Sequence, residues 1–434
     1  MFNICPEYYT LNGKINLNKK MKKISFYNEE YKYSATMLEE EQIDNILSIN
    51  YGKTLYKGGS GTSKTTTLMS KAIKLSRVYP HHNFLILTAT KQECNELREK
   101  LNLFYNDNNI QIHTLSTFVL GLAKKYELIV DYTRLKTDYD KTVDNIIKQA
   151  KNIIKNKSMF KGIFIDGLES FKQEDVLFIE EFLYKRKYIF NAFYCRSLNI
   201  SNRLNIFKEE FKDIEFENTI KLNKNYRQSM ELVNFINEFG ENSNNYIKQI
   251  RDIDKEIFYE TQGIRDEDRS VSIIKINDLE EQVNSIIWEI DYLVNNKGLK
   301  YSDICIIYPF NKKKLKNGNI IYFQYILKKA LDEVKIPYIT SEDSLTNITP
   351  KMGVTLSNVY TVSNLEYKAV ILCELEMLYN HKINDTKQDY QVNDFVGDLN
   401  KLYLAMNRAC DYLSIITTFS EDSSEIIKLL MMSS

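Results

Sequence analysis

The stretch Leu55-Tyr56-Lys57-Gly58-Gly59-Ser60-Gly61-Thr62-Ser63-Lys64-Thr65-Thr66-Thr67 leaves an apolar segment, crosses a run of small residues and reaches a lysine that opens a helical pattern. Small residues let a backbone wrap a polyphosphate closely, with successive N–H groups aimed inward at the positive end of the next helix. Gly58, Gly59, Ser60, Gly61, Thr62, Ser63 and Thr66 would form that cradle, Lys64 would neutralise the β and γ oxygens, and Thr65 would hold Mg²⁺. The usual spacing is G-x-x-x-x-G-K-[ST]. Gly58, Lys64 and Thr65 match it, but Ser63 stands where the second glycine belongs. A Cβ there strains the loop by about 1–3 kcal/mol if the position needs a sparsely allowed backbone conformation. A flexible Gly/Ser linker would share the composition. It would not need the apolar strand before it, or Leu68, Ala72, Ile73 and Leu75 at helical spacing behind it.

The chain carrying this loop has 434 residues, room for about two or three domains. Its apolar fraction of 43% and charged fraction of 27% are those of a globular protein. Basic and acidic residues balance, 58 against 58, so no bulk field announces nucleic acid, although a local basic groove is compatible with the totals. The cysteines (Cys5, Cys94, Cys195, Cys305, Cys373, Cys410) form no close pair, which argues for buried thiols in a reducing compartment and against a zinc site or disulfide framework. With no apolar run of about 18 residues and no apolar signal core, the expectation is a cytoplasmic protein without a membrane partner.

Upstream of the loop, residues 1–34 carry Lys19, Lys20, Lys22 and Lys23 beside several tyrosines without clear periodicity. This N-terminal extension reads as a solvated arm or small strand pair, with a nucleic-acid patch as the alternative. Leu38-Glu39-Glu40-Glu41-Gln42 then precedes a short helix ending near Gly52. Gln42 can read an adenine edge by donating and accepting with one amide, or be an ordinary surface glutamine. Downstream, residues 83–90 read as a buried strand before a helix through Leu97 and Leu101, and residues 110–118 as a strand running into a helix. Strand–helix alternation implies a parallel sheet with helices on both faces. His113 has no partner at metal-ligand spacing and reads as structural. A lysine-rich helical stretch covers 119–160. The next apolar strand ends in Asp166, placed to complete a Mg²⁺ shell or, alternatively, to cap a turn.

By this point the residues resemble UvrD/Rep-type superfamily 1 helicases, over about residues 35–420. Leu38 to Gln42 looks like the family's glutamine motif, Gly58 to Thr65 its phosphate loop, Thr88-Ala89-Thr90 its T-F-T motif and His113-Thr114 the threonine motif that follows. Leu222-Asn223-Lys224-Asn225-Tyr226-Arg227-Gln228-Ser229 resembles the motif whose arginine reaches the γ-phosphate. Leu365-Glu366-Tyr367 resembles the end of K-G-L-E-F, and Leu402 to Ala409 the motif supplying a second arginine, Arg408. The resemblance implies an α/β fold of two RecA-like parallel-sheet lobes of the P-loop NTPase type, with ATP and Mg²⁺ in the cleft between them. The first lobe would be 35–220, with a small helical insertion at about 119–160, and the second 221–434. Glu366 would join Gln42 and the loop in nucleotide contact. Strands at 271–276 and 303–308, with a helix through Val283, Ile286, Ile287 and Ile290, fit the second lobe. Trp288 in that helix reads as core or rim. About a dozen residues fill the gap where relatives carry a large accessory domain, so the insertions look reduced.

The departures are specific. Where the family has D-E-x-Q-D, this chain has Asp166-Gly167-Leu168-Glu169-Ser170, and Gly167 cannot act as a base. Losing a positioned base costs about 10²–10⁴ in rate unless Glu169 or a partner substitutes. Cys195 replaces the glutamine of G-D-x-x-Q, Ala89 replaces a base-stacking phenylalanine worth about 1–3 kcal/mol per base, and Ser363-Asn364 replace K-G. What remains, Lys64, Thr65, Asp166, Arg227 and Arg408, holds phosphate or its metal. The expectation is an ATP-binding protein of helicase type with weakened or lost hydrolysis, a nucleotide-dependent switch or subunit working with a protein partner and single-stranded nucleic acid, DNA ahead of RNA. The alternatives are an active minimal helicase or translocase using Glu169, and a scaffold that binds no nucleotide.

Overall fold

Runs such as Phe84–Thr88, Gly162–Asp166 and Ile304–Tyr308 are apolar without polar alternation, the pattern of strands covered on both faces. The computed structural model describes residues 40–104, 109–154, 158–184, 186–200, 206–207, 210–251, 256–265, 270–311, 313–314, 320–340, 353–362, 365–378, 389–420 and 423–433. The extension 1–34, Leu38, Glu39, Ser363-Asn364 and residues 341–352 of the shortened gap lie outside the described residues. The chain divides into two compact units. The first takes in the described residues within Met1–Lys57, Ser63–Tyr194 and Glu209–Leu222, and the second those within Gly58–Thr62, Cys195–Lys208 and Asn223–Ser434.

In the first unit β1 (Gly52–Gly58), β2 (Phe84–Thr88), β3 (Ile110–Thr114), β4 (Gly162–Asp166), β5 (Ile189–Tyr194) and β6 (Asn218–Leu222) form one sheet in the order β3-β2-β4-β5-β1-β6. The pairs β1/β5, β5/β4, β4/β2 and β2/β3 are all parallel, so these strands end at one edge. On one face Ile86, Phe164 and Phe193 pack with residues of α2 (Lys64–Val78) and α3 (Lys91–Phe104), among them Leu68, Leu75 and Leu97. The alternate residues Leu85, Leu87, Ile163 and Ile165 are equally buried on the other. Both faces are therefore covered, as parallel strands require. The helix α1 (Glu40–Leu47) begins earlier than the sequence suggests, so Gln42 lies within it and not ahead of it.

The second unit pairs β7 (Lys224–Ser229) with β8 (Gln262–Arg265) in parallel and builds a larger sheet in the order β13-β14-β10-β15-β16-β9. Its strands are β9 (Val271–Ile276), β10 (Ile304–Tyr308), β13 (Tyr338–Thr340), β14 (Val354–Asn358), β15 (Tyr367–Leu372) and β16 (Ala409–Thr418), all parallel; β11 (Lys313–Lys314) and β12 (Ile320–Ile321) form a small antiparallel pair. One face packs Ile307, Val370, Leu372 and Ile415 with Phe239 of the helix Met230–Arg251 and Phe395 and Leu399 of the helix Asp389–Met406. The other packs Ile306, Ile371 and Ile416 with Ile286 and Ile290 of the helix Leu279–Asn295. Trp288, on that helix, is 60% exposed and stacks on Tyr292, a surface position. The fold is thus mixed α/β with two parallel-strand sheets. Among the described residues no helix is long and apolar enough to cross a membrane.

Candidate functional site

In the first unit β1 and β4 are separated only by β5, and their carboxyl ends deliver Lys57 and Asp166 to the same edge. Lys64, Thr65 and Thr66 occupy the first turn of α2. Thr65 Oγ1 donates to Asp166 Oδ2 at 2.8 Å. Burial pushes the Asp166 carboxyl up from its ordinary value, against the Thr65 hydrogen bond and the charges of Lys64 and Lys100, which pull it down. Ser63 stands just before Lys64 at φ 60°, ψ 26°, in the left-handed region, and its side chain makes no capping bond. The position is one that glycine occupies without strain, so the serine carries the cost that the sequence pattern suggests.

Gly167 follows Asp166 with φ +73°, and a Cβ built on it would lie 3.6 Å from Glu169 Oε1. Glu169 is buried in the short turn Leu168–Ser170. The only carboxylate of the Asp166–Ser170 segment besides Asp166 thus sits close to where a side chain at 167 would begin.

In the second unit, the earlier part of the same loop is held by residues far away in sequence. Ser60 is 3% exposed, and its Oγ accepts from Arg227 Nη1 at 2.8 Å and from Arg408 Nη2 at 3.3 Å. Arg227 Nη1 also donates to Asn407 O at 3.0 Å, and its Nη2 forms an ion pair with Glu366. Asn225 Nδ2 donates to Ser60 O at 3.3 Å, and the Tyr226 amide to Gly61 O at 3.0 Å. Gly61, at φ +77°, has no room for a side chain, since a Cβ would come within 2.4 Å of Asn225 Oδ1. Thr62 Oγ1 closes the turn by donating to Gly59 O at 2.9 Å. Burial and the neighbouring Arg227 pull the Arg408 guanidinium down to about 10, against the attraction of Glu366. Cys195 is buried with its Sγ 3.2 Å from Ser197 Oγ. Tyr403 is buried beside them, its hydroxyl meeting the side chains of Ser197 and Asn407 and the Ser60 backbone.

The residues singled out from sequence therefore assemble in two groups, Lys64, Thr65 and Asp166 in one unit, and Ser60, Arg227, Glu366 and Arg408 in the other. Gln42 is buried on α1, which rests on α2 about two turns beyond Lys64. The contact there is made by Lys71, fully buried, whose Nζ donates to Asn45 O at 2.9 Å, Ser48 Oγ at 3.0 Å and Tyr56 OH at 2.8 Å. Sequence reasoning passed over Lys71 and Asn225. The signal for Lys71 was present, a lysine inside the apolar stripe of Leu68, Ala72 and Leu75. Ala89, after β2, is exposed.

No protein-family profile matches the chain, and no curated protein matches it. Among solved structures, the chain is similar to the C-terminal domain of a possible DNA helicase from Lactobacillus plantarum WCFS1. The identity is 15%, the match covers 47% of this chain and 93% of that one, and the TM-score is 0.27.

Proposed function

We propose that this chain is an ATP-binding protein of UvrD/Rep helicase type whose hydrolysis is weakened or lost, acting as a nucleotide-dependent switch or subunit on nucleic acid. The observation that carries the reading is the Thr65–Asp166 pair beside Lys64, at the opening turn of a helix that follows a strand and a small-residue loop. These residues fit the group they would hold. Thr65 Oγ1 and Asp166 Oδ2 are two hard oxygen donors in contact, and magnesium prefers one or two carboxylates completed by phosphate oxygens and water. Bound there, magnesium would neutralise charge on the phosphates. Lys64 would meet the phosphate oxygens, and the amides at the start of α2 would face them. Charge-assisted contacts from such side chains contribute roughly 1.5–3 kcal/mol each, enough to retain nucleotide without a base to cut it.

Gly167 is why turnover is expected to be slow. A second reading, an active ATPase or translocase, is favoured by one observation, the approach of Glu169 Oε1 to the position of a Cβ at 167. On that reading Glu169→Gln lowers turnover by about 10²–10⁴. On the first, the slow basal rate is unchanged by it. Calorimetric titration with Mg-ATP and a non-hydrolysable analogue, with phosphate release measured on the same sample, tests both. Binding of both ligands with slow release supports the switch. Fast release abolished by Lys64→Ala supports the enzyme, and no heat with either ligand refutes both in favour of a scaffold.

A further inference from the structure

The parallel strands β1, β2, β4 and β5 bring their amino ends to one edge of the first unit, opposite the edge that carries Asp166. Tyr51 precedes β1 there, His82 lies just ahead of β2, Lys161 precedes β4 and Lys187 lies just ahead of β5, while Tyr79 follows α2. Lys161 is 7% exposed. Its Nζ donates to Arg186 O at 3.0 Å and to Lys187 O at 2.6 Å, and lies 5.6, 5.0 and 5.7 Å from the ring centroids of Tyr51, Tyr79 and Tyr184. Lys187 Nζ is 5.6 Å from the Tyr51 centroid as well. The Tyr51 and Tyr79 hydroxyls meet at 2.7 Å, and the His82 ring stands 5.6 Å from that of Tyr184. Buried charges are ordinarily paired. Among the described residues, however, neither buried Lys161 nor exposed Lys187 forms an ion pair. Glu217, at the border of this patch over Gly52, accepts from the Tyr188 hydroxyl at 3.4 Å instead.

Two cations without a counter-ion, set among tyrosines of which Tyr51 is 38% and Tyr184 40% exposed, call for an anionic partner that also offers apolar contact. The ring faces decide which kind. Ammonium groups already lie over them, two at Tyr51, so a nucleobase stacking there would have to compete with the cations. Carboxylates complement the same arrangement, since they attract both the ammonium groups and the positive edges of the rings. We propose that this patch docks an acidic segment of a protein partner, whose carboxylates pair with Lys187 and supply the counter-charge Lys161 lacks while its apolar side chains rest on Tyr51 and Tyr184. The dock lies entirely within the first unit. It stands whether or not the chain binds nucleotide.

The test uses the full chain and a short fluorescein-labelled peptide rich in glutamate and leucine, read by fluorescence anisotropy at rising salt. A lysine-rich peptide of equal length and an oligo-dT strand serve as the other probes. The acidic peptide should bind, and more weakly as salt screens the charges. Lys187→Glu should weaken it by about tenfold, and Tyr184→Ala by about fivefold or more. Lys187→Arg keeps the charge and Tyr184→Phe keeps the ring, so both should bind like the wild type, as should Trp288→Ala in the second unit. No binding of the acidic peptide to the wild type, or binding that Lys187→Glu and Tyr184→Ala both leave intact, overturns the proposal. Equal binding of the lysine-rich peptide would show that charge does not select the partner and overturns it too. Oligo-dT binding that the same two variants abolish, and that the acidic peptide does not displace, would assign the patch to nucleic acid in its place.

Discussion

The two halves of the loop at 58–65 are built on different logic. From Ser63 onward the chain belongs to the first unit and depends on neighbours set by local geometry, a helix start over the end of β4, with Thr65 on Asp166. From Gly58 to Thr62 it belongs to the second unit and is held by Asn225, Arg227 and Arg408, residues about 165 to 348 positions away. The later half carries Lys64, Thr65 and the contact to Asp166, on which the proposed nucleotide site rests. The earlier half is gripped by two arginines. A motif that reads as one object in sequence is thus two structural objects joined between Thr62 and Ser63, with the strained Ser63 at the joint.

Several substitutions separate the halves. Lys64→Ala strikes only the later half and should cut Mg-ATP affinity by roughly 10- to 150-fold, equivalent to the loss of about 1.5–3 kcal/mol, in calorimetry. Exchange at the Tyr226 amide should stay as slow as in the wild type; a Tyr226 amide freed by Lys64→Ala would mean the halves are one cooperative object.

Arg265→Met strikes the support of the earlier half. Arg265 Nη2 pairs with Asp411 Oδ1 at 2.7 Å, and Nη1 donates to the carbonyl of Arg227. Leaving the largely buried Asp411 carboxylate without its guanidinium should cost about 2 kcal/mol in denaturant unfolding, below the value for a wholly buried pair because Arg265 is 26% exposed. An unchanged midpoint would remove Arg265 from the account of how Arg227 is aimed.

Lys71→Met probes the helix behind the later half. Burial, with nearby Lys74 adding to it, lowers the Lys71 ammonium from 10.5 to about 7. Between those values the unfolded chain holds a proton that the folded chain has released. Stability therefore rises with pH across that window, at up to about 1.4 kcal/mol per pH unit from this residue alone, and the penalty of burying the charge is fully present below pH 7. Thermal unfolding at pH 6.5 to 9.5 should show a steeper rise in the wild type than in Lys71→Met. Parallel curves would show that Lys71 stays charged on its three acceptors.

Ser63→Gly relaxes the joint itself. A left-handed backbone at φ 60° suits glycine, so the substitution should stabilise the first unit by about 1 kcal/mol in the denaturant midpoint. Destabilisation would indicate that the serine side chain holds the loop in a way that outweighs its backbone strain.

Much of the frame was legible from sequence because burial on both faces writes itself as uninterrupted apolar runs. The strands now placed at Phe84–Thr88, Gly162–Asp166 and Ile304–Tyr308 were all visible that way. The order of strands was not, since pairing β5 between β4 and β1 is decided by contacts distant in sequence. The same limit hid the grip on Ser60. The resemblance of their motifs made Arg227 and Arg408 expected phosphate ligands, but that both turn to one loop hydroxyl depends on long-range closure. Lys71 was missed for a different reason. Lysine is so often a solvated residue that one within an apolar stripe is easily discounted, although its three acceptors, Asn45 O, Ser48 Oγ and Tyr56 OH, come from the segment just upstream of α2.

The central claim is that the later half of the loop still holds a triphosphate. The most direct measurement is a crystal structure grown with magnesium and a non-hydrolysable ATP analogue. The account predicts phosphate oxygens at Lys64 Nζ and a magnesium ion beside Thr65 and Asp166, in place of the Thr65–Asp166 hydrogen bond. Density for nucleotide elsewhere, or none at all with that hydrogen bond intact at saturating ligand, would contradict it.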